Sequence, residues 1–411
     1  MKIKNTLLEA IDELARHKLR TLLTLLGMIF GVGAVNAMLN IGSGAEQEAL
    51  RLIDTMGVRN LIVQSREYDE EELKEIRKHS IGLSLRDLEA VNVTLPFVEK
   101  SSAEKKVKTY SVYTNQGETK SNVLGVTTDY FDLSNLTAAS GRLLNADDDN
   151  QFAQVAVLGA VAARKLFPQG EAVGQKLKVN HLWLTVVGVL TAPNISKKEF
   201  QGVKLGGEAD SIFLPLNTVA KRLNIEKLGA EIDSFRVRVA KDTDQVQAAK
   251  AITHLIKKRH GEQDDFDILI PSALLAQHKQ TQKIFNIVMA AVAGISLLVG
   301  GIGIMNIMLA TILERTKEIG LYRAVGATRR DIMQQFLMES FVISLLGGVL
   351  GIVFGLILSE GIALYSGWPV IWSFTAIVSS ILICMLIGIM FGIYPAKKAS
   401  RLDPIDALHA D

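Results

Sequence analysis

Residues that could carry out chemistry are few in this chain of 411 residues. The phosphate-binding pattern G-x-x-x-x-G-K-S/T is missing, and the dipeptide Gly-Lys does not occur at all. We find no Ser/His/Asp, Cys/His or paired-carboxylate arrangement, and the seven histidines lack metal-ligand spacing. Asp147-Asp148-Asp149 could bind a cation, although a solvated turn is the favoured interpretation. The sequence therefore predicts a chain that is not an enzyme and has no cofactor or metal site of its own.

The strongest local pattern is a charged segment that begins at Glu314 and ends at Arg330. Acidic and basic residues surround an apolar patch at Ile319 and at 322–324, and a Gly-Ala pair follows. These features predict a short helix closed by a turn. A simple positively charged membrane anchor would explain the basic residues, but it leaves the glycines and the pair Glu314 and Glu318 unexplained.

Composition places this segment in a membrane protein with a large water-exposed part. The mean hydropathy of +0.24 is too apolar for an ordinary soluble protein, whereas 21% charged residues are too many for a chain wholly within lipid. The formal net charge of +2 gives no indication of a nucleic-acid partner. The only cysteine, Cys384, cannot form an intrachain disulfide, so any exported domain depends on its hydrophobic core.

Four long stretches without charge predict four transmembrane helices. A bilayer core of about 30 Å requires about 20 helical residues, and we place the spans at residues 21–42, 283–313, 339–359 and 373–394. The first could instead be a signal peptide, since small residues at 42–45 resemble a cleavage site. Its apolar stretch is longer than the roughly 7–15 residues of a signal-peptide core, so we interpret it as a retained span.

Basic residues predict that both termini face the cytoplasm. Lys and Arg cluster before the first span, between the second and third spans, and after the fourth. The short outer loop at 360–372 contains neither residue type. Because basic residues are retained on the cytoplasmic side, we place a cytoplasmic segment at 314–338 and a cytoplasmic tail at 395–411.

Outside the lipid, the sequence predicts an N-terminal amphipathic helix and a large domain between the first two spans. Apolar residues at helical spacing predict an amphipathic helix over 1–20, on the cytoplasmic membrane face or packed on a partner protein. Residues 43–282 predict a large domain with an inserted strand-rich subdomain at about 106–231. Its helical ends continue from the first span and into the second. The predicted fold is an α-helical membrane protein with four transmembrane helices plus a large α+β extracytoplasmic domain.

Small residues recur within the predicted spans. They are Gly27 and Gly31 in the first span, Gly300, Gly301 and Gly303 in the second, and Gly347, Gly351 and Gly355 in the third. Such residues let helix backbones approach closely in lipid, either within one subunit or across a dimer, and the pattern favours neither. Asn306 is a polar residue of the second span, and we expect it to bond a neighbouring helix.

Residues 298–306 (LVGGIGIMN) stand shortly before the charged segment, with its Glu318-Ile319-Gly320 and Gly326-Ala327. Together they resemble the permease signature of the MacB-type (macrolide exporter) branch of the FtsX-like permease family. Agreement extends over nearly the whole chain, through residues 17–27, 140–142, 259–266 and 395–408. The macrolide exporter itself carries a fused N-terminal ATPase, whereas we expect this chain to begin at its amphipathic helix.

This resemblance implies a permease subunit of an ABC transporter. It implies a homodimer that works with a separate ABC ATPase subunit, which binds ATP and Mg. The outer domain would have porter-like and sabre-like parts, and ATPase closure would move it, a mechanism called mechanotransmission. A periplasmic adaptor and an outer-membrane channel are further expected partners of such a complex.

The resemblance also suggests where the ATPase docks. The expected coupling residues are Glu314, Arg315, Glu318, Ile319, Gly320, Tyr322, Arg323, Val325, Gly326 and Ala327. Ile319, Tyr322 and Val325 would fill a groove of the ATPase. Glu318 and Arg323 would fix the orientation, and the two glycines would allow close approach and the turn back into the membrane.

Export is the expected function of the complex. The alternatives are an FtsX-like transmembrane signal transducer that controls a cell-wall hydrolase, and a permease for antimicrobial-peptide resistance or sensing. The size of the outer domain and the MacB-type signature favour export. A neighbouring gene for an adaptor would support export, and one for a peptidoglycan hydrolase would support signalling.

The predicted topology can be tested by cysteine labelling in a Cys384→Ala background. Asn150→Cys should react with a membrane-impermeant thiol reagent in intact spheroplasts, because residues 43–282 are expected outside the membrane. Thr328→Cys should react only after permeabilisation. Labelling of the Thr328 variant from outside would contradict the four-span topology.

Overall fold

The computed structural model describes residues 18–191, 199–200, 203–204, 207–223, 228–366 and 370–409. The chain divides into two units, which we describe separately. The helical unit comprises the residues up to Glu48 and those from Lys279 onward, and the α/β unit comprises Ala49–His278. The amphipathic helix predicted for 1–20 lies outside the described residues, except that its last three residues begin the first helix.

Helices and strands are numbered in chain order. The helices are α1 (Lys18–Met56), α2 (Glu70–Ile76), α3 (Leu85–Thr94), α4 (Tyr130–Leu133), α5 (Ala146–Asn150), α6 (Ala160–Leu166), α7 (Leu216–Arg222), α8 (Gln245–Arg259), α9 (Pro271–Glu314), α10 (Thr316–Ala324), α11 (Arg329–Ser366), α12 (Phe374–Ser400) and α13 (Pro404–His409). The strands are β1 (Asn60–Ser65), β2 (Val98–Val107), β3 (Val112–Tyr113), β4 (Glu118–Thr119), β5 (Asn122–Val126), β6 (Ala138–Gly141), β7 (Val155–Leu158), β8 (Lys176–Val179), β9 (Leu182–Leu190), β10 (Glu199–Phe200), β11 (Val203–Lys204), β12 (Ser211–Pro215), β13 (Ser234–Val239) and β14 (Phe266–Leu269).

Four helices of the described residues are long and apolar enough to cross a membrane, and each overlaps one of the four predicted spans. They are α1, α9, α11 and α12. The helical extensions expected at both ends of the outer domain are confirmed, since α1 continues to Met56 and α9 already begins at Pro271. These two helices are therefore much longer than a bilayer core requires.

Two predicted segments differ from the structure. The outer loop predicted at 360–372 is partly helical, because α11 continues to Ser366 and the first proline after the span stands only at Pro369. The cytoplasmic segment predicted at 314–338 contains two helices. Its second half is the beginning of α11, which starts at Arg329.

Glycines determine how closely the long helices pack. A Cβ atom added to Gly27 would lie 3.0 Å from the Cα atom of Gly300, and one added to Gly355 would lie 2.7 Å from the carbonyl oxygen of Gly33. Larger side chains would therefore push α1 away from α9 and α11. Further glycines with close neighbours on another helix of the same chain are Gly31, Gly301, Gly347 and Gly351. These glycines thus pack against helices of the same chain, and Gly303 is half-buried.

Two asparagines add polar contacts between α1 and α12. Asn36 donates to Ser380 Oγ at 2.7 Å, and Asn40 accepts a hydrogen bond from the backbone nitrogen of Ser373 at 3.2 Å. Both asparagines are completely buried. Such bonds between membrane helices contribute about 0.6–2 kcal/mol each. Helix α1 thus contacts each of the other long helices.

The α/β unit is built on one sheet of twelve strands. The strand order is β14-β1-β13-β2-β5-β12-β7-β9-β8-β3-β4, and β6 is paired with β9. Most neighbours are antiparallel, whereas β12 is parallel to β5 and β7 is parallel to β9. Strand β13 has the alternation of a half-buried strand, because Phe235, Val237 and Val239 are buried while the residues between them are more exposed.

Separate hydrophobic cores lie along this sheet. One contains Leu61 of β1, Val91 of α3 and Ile252 of α8. A second contains residues of β7, β9, β12 and α6, all between 107 and 223. The strand-rich subdomain predicted at about 106–231 covers the second core, but its edges remain a prediction, since one sheet runs through both regions.

A buried charge network lies beside the first core. His260, which is 2% exposed, donates to Asp265 at 2.7 Å and to Asp87 at 3.2 Å. Arg259 donates to the other oxygen of Asp87 at 2.5 Å. Burial alone would lower the pKa of His260, but the bonds to the two carboxylates outweigh it and raise the pKa to about 9. Burial would raise the pKa of both aspartates, and their bonds with His260 lower it instead.

Replacement of this histidine should destabilise the α/β unit. We expect His260→Gln to lower the free energy of unfolding by about 3 kcal/mol, because two buried carboxylates lose their shared cation. His254→Gln on the same helix changes an exposed side chain, so its effect should stay within about 0.5 kcal/mol. Urea unfolding of the full chain in detergent, followed by pulse proteolysis, measures both. Equal effects of the two substitutions would contradict the network.

The difference in the free energy of unfolding between wild type and His260→Gln should also depend on pH. Because folding raises the pKa of His260 from 6.5 to about 9, its contribution is fully present below pH 6.5 and is lost as the pH rises through 9. The lowered pKa values of Asp87 and Asp265 have the opposite sign, so their contribution is present above pH 3.8 and is lost in acid. A difference that stays constant from pH 6.5 to about pH 10 would exclude this linkage.

Candidate functional site

The candidate site is centred on α10, a helix of nine residues between two long helices. Arg315, with φ −98° and ψ 14°, separates α10 from α9. After α10, Gly326 has φ +114°, which glycine adopts with little strain. Thr328 and Asp331 then form a reciprocal cap for α11, with backbone-to-side-chain bonds of 2.9 and 3.2 Å. The break and the cap together hold α10 as a separate short helix.

One side of α10 packs inside the helical unit. Ile319 is 2% exposed and belongs to the apolar core of that unit. Gly320 faces α13, where an added Cβ atom would lie 2.8 Å from the Cβ atom of Ala407. That distance is well below the optimal separation of two carbon atoms, about 3.5–4.0 Å. Helix α13 therefore rests directly on the backbone of α10.

Arg323 joins α10 to the end of α12. Its Nη1 donates to the carbonyl oxygens of Ser400 at 3.0 Å and Leu402 at 3.1 Å. Ser400 ends α12, where carbonyl groups lack helical partners. Hydrogen bonds to a charged group contribute about 1.5–3 kcal/mol. Helix α10, the end of α12 and α13 thus form one assembly.

Arg315 makes a second set of charged contacts. It donates to Glu318 at 2.9 Å, and its Nη1 lies 3.7 Å from the carboxylate of Glu339. Its guanidinium carbon lies 5.9 Å from the centre of the Phe336 ring. Glu339 is buried, and a buried carboxylate requires a cation nearby. Arg315 therefore fixes the beginning of α10 on α11.

Other residues of this assembly expose apolar side chains. Val325 is 82% exposed, and Leu321 and Tyr322 are 56% and 48% exposed. On α13, Ile405 and Leu408 are exposed as well. We call these five residues the apolar surface. Exposed apolar side chains on and next to two packed helices are typical of a surface that another protein covers.

The predicted coupling residues have different environments. Tyr322 and Val325 are exposed, as contact with a partner requires. Ile319 is buried among the chain's own residues, so its side chain cannot enter a groove of a partner in this conformation. Arg323 binds carbonyl groups of the chain itself. The remaining predicted residues are Glu314, Glu318 and Gly326, which are exposed, Arg315 and Ala327, which are half-buried, and Gly320, which is buried.

Sequence reasoning missed Leu321, Ile405 and Leu408. None of these residues belongs to the predicted coupling set, and the tail was not expected to contact the ATPase. A signal for the last two exists, because Pro404 favours the first position of a helix and apolar residues follow at 405 and 408. That spacing places both side chains on one side of a short helix.

Nothing in the described part of the chain resembles a metal centre, since no group of three or more His, Cys, Asp or Glu residues could hold an ion. Two residues of the acidic run at 147–149 have a structural role. Asp148 caps α5 through the backbone of Asn145 and accepts two bonds from Arg142, at 2.5 and 2.9 Å. Asp149 accepts two bonds from Asn217. These carboxylates are therefore occupied by groups of the protein.

Four long apolar helices, and a large α/β unit inserted after the first, define a multi-pass membrane protein with a folded unit outside the lipid. Sequence comparison agrees with this class. The profile of the MacB-like periplasmic core domain matches residues 21–255, and that of the FtsX-like permease C-terminal domain matches residues 290–404. The chain belongs to the MacB/FtsX-like family of ABC transporter permeases, and its α/β unit is the extracytoplasmic domain of that family.

Similar proteins are known from several bacteria. The macrolide export ATP-binding/permease protein MacB of Bdellovibrio bacteriovorus is 34% identical over 97% of this chain and 61% of its own length. The protein of that name from Agrobacterium fabrum is 37% identical over 96% of this chain and 59% of its own. The chain thus spans about three fifths of the length of these relatives. The periplasmic region of MacB from Actinobacillus actinomycetemcomitans aligns with a TM-score of 0.45 and 22% identity, over 58% of this chain and 98% of that one.

The contact between α10 and α13 can be tested with a rescue pair. Gly320→Ala should loosen α13, because the added methyl group overlaps Ala407, and overpacking typically costs about 1–3 kcal/mol. Amide hydrogen exchange of residues 401–409 in the full chain should then become at least about fivefold faster. Ala407→Gly in the same chain restores space and should slow the exchange again. Unchanged exchange in the single variant would contradict the contact.

Proposed function

We propose that this chain is the permease subunit of an ABC transporter of the mechanotransmission type. It would couple ATP hydrolysis by a separate ATPase subunit to movement of the α/β unit, and so drive export. The observation that carries the proposal is the apolar surface, because it occurs beside the membrane helices of a MacB/FtsX-like chain. The relatives are named as export proteins with an ATP-binding part. Since this sequence lacks a phosphate-binding loop, the partner would bind ATP and Mg.

Docking would divide the predicted coupling residues into two groups. Leu321, Tyr322 and Val325 would contact the ATPase, and burying each of them would contribute about 1.5–3 kcal/mol. Ile319 and Arg323 would instead anchor α10 within the chain, through the core and through the carbonyl groups at the end of α12. A displacement of α10 by the ATPase would then also move α12 and α13.

Helices α1 and α9 would carry this movement out of the membrane. Both are continuous, over Lys18–Met56 and Pro271–Glu314. Where they leave the helical unit, Gln282 donates to the carbonyl oxygen of Gly42 at 2.6 Å, and Lys279 lies 3.1 Å from Glu46. A continuous helix has a fixed rise of about 1.5 Å per residue, so a shift at one end reaches the other. The two helices would move as a pair.

The proposed setting is a bacterial inner membrane with both termini in the cytoplasm. Two copies of the chain would form a homodimer with two ATPase subunits. A periplasmic adaptor and an outer-membrane channel would take over the exported molecule on the far side. The exposed apolar side chains of the long helices would contact the lipid bilayer. We propose no nucleic-acid partner, since the net charge is only +2.

A charge placed in the apolar surface should prevent docking. Val325→Asp should weaken binding of the ATPase subunit at least about tenfold, because the carboxylate would be buried in an apolar contact without a partner. Gln334→Asp adds the same charge at an exposed position of α11, outside the apolar surface, and is the matched control. Binding is measured with the full chain in nanodiscs and the ATPase subunit that co-purifies with the native chain.

A second measurement separates docking from folding. ATP hydrolysis in reconstituted vesicles should fall with Val325→Asp and stay at the wild-type level with Gln334→Asp, while both variants insert into the membrane normally. If Val325→Asp binds the ATPase and supports hydrolysis as well as its control, the apolar surface is not the docking site.

A further inference from the structure

One face of α9 presents a polar side chain that lipid cannot solvate. Asn306 is exposed, and no residue that the structure describes forms a hydrogen bond with it. It stands eight residues before Glu314, the last residue of the helix, which is about 12 Å at 1.5 Å per residue. An amide at this depth without a hydrogen-bond partner is strongly unfavourable in hydrocarbon.

The residues around Asn306 on this face follow a seven-residue repeat. At alternating spacings of four and three, the face contains Val288, Val292, Ile295, Val299, Ile302, Asn306, Leu309 and Leu313. All of these are exposed apart from Leu309, which is half-buried. This is the a/d pattern of a left-handed coiled coil, and it places Asn306 at an a position. We call these eight residues the α9 seam.

The other exposed faces of the spans do not share this feature. The exposed side chains of α11 at 349–358 and of α12 at 378–393 are all apolar, so lipid is a suitable environment for them. The α9 seam differs by one amide, which carries both a donor and an acceptor. A second amide of the same kind satisfies both groups, and a single Asn at an a position is known to set the register of paired helices.

We infer that α9 packs along this seam against α9 of a second copy of the chain, with the two Asn306 amides hydrogen-bonded to each other. Two copies inserted in the same orientation are related by a two-fold axis normal to the bilayer, so each seam residue meets its own equivalent. This arrangement buries the amides and keeps both helices parallel. The inference rests on the homodimer of the proposed function and assigns its interface within the membrane.

Single cysteines test the interface directly, because Cys384→Ala removes the only cysteine of the chain. Val288→Cys and Ile302→Cys lie on the seam, where paired residues of a parallel coiled coil come within the Cα separation of a disulfide, about 4.4–6.8 Å. Both should form disulfide-linked dimers when native membranes are oxidised with copper phenanthroline. Ile287→Cys on α9 and Leu386→Cys on α12 are equally exposed but off the seam, and they should stay monomeric.

The role of the amide is tested by substitution in vesicles. Asn306→Leu keeps an apolar seam and removes the amide, so the dimer association constant, measured by energy transfer between labelled chains on lipid dilution, should fall about threefold to thirtyfold. Asn306→Gln keeps an amide and should lose less. If Asn306→Leu associates as strongly as the wild type, the amide contact is refuted.

The outcomes separate this inference from the proposed function. If the seam cysteines fail to cross-link while the chain still dimerises and binds its ATPase, the interface is wrong and the proposed function stands. If cross-links form off the seam as readily as on it, the interface is also wrong. A chain that stays monomeric in a working complex with the ATPase would overturn the homodimer together with the seam.

Discussion

Helices in lipid gain little hydrophobic free energy from packing against one another, so the helical unit depends on how closely its backbones can approach. Glycine provides that approach where α1 meets α9 at Gly27 and Gly300 and where it meets α11 at Gly33 and Gly355. Buried bonds from Asn36 and Asn40 join the same helix to α12. Because α1 is fixed in this way, the core that holds Ile319 and α10 has a defined position, and the proposed docking surface depends on it.

The α/β unit is stabilised under the opposite condition, in water and without a disulfide. Its hydrophobic cores supply most of the free energy, and the His260 network adds charges that burial alone would disfavour. That network joins α3 to the end of α8 and to the loop before β14, which lie more than 170 residues further along the chain. Removing either partner of a buried ion pair leaves an uncompensated charge and destabilises the fold. The network therefore favours one arrangement of these elements over others.

Much of this fold could be predicted from the sequence, because its strongest signals are local. Charge-free stretches locate the spans, and strict alternation of apolar residues identifies β13. Ser84 and Asp87 have the spacing of a helix N-terminal cap, which predicts the beginning of α3. What could not be predicted depends on contacts between distant residues. From the sequence, Ile319 is expected to be exposed and Gly320 to contact a partner. In the structure, Ile319 lies in the core and Gly320 lies against Ala407. The same limit explains why Arg323 was expected to bind the ATPase rather than the end of α12.

The position of α13 has a practical consequence for work on this protein. Because Ala407 lies on Gly320 and Leu408 belongs to the apolar surface, whatever is attached after residue 411 is tethered within a few residues of the face proposed for the ATPase. We expect an affinity tag or fluorescent protein fused there to obstruct assembly by its bulk alone, and to imitate a loss-of-function mutation.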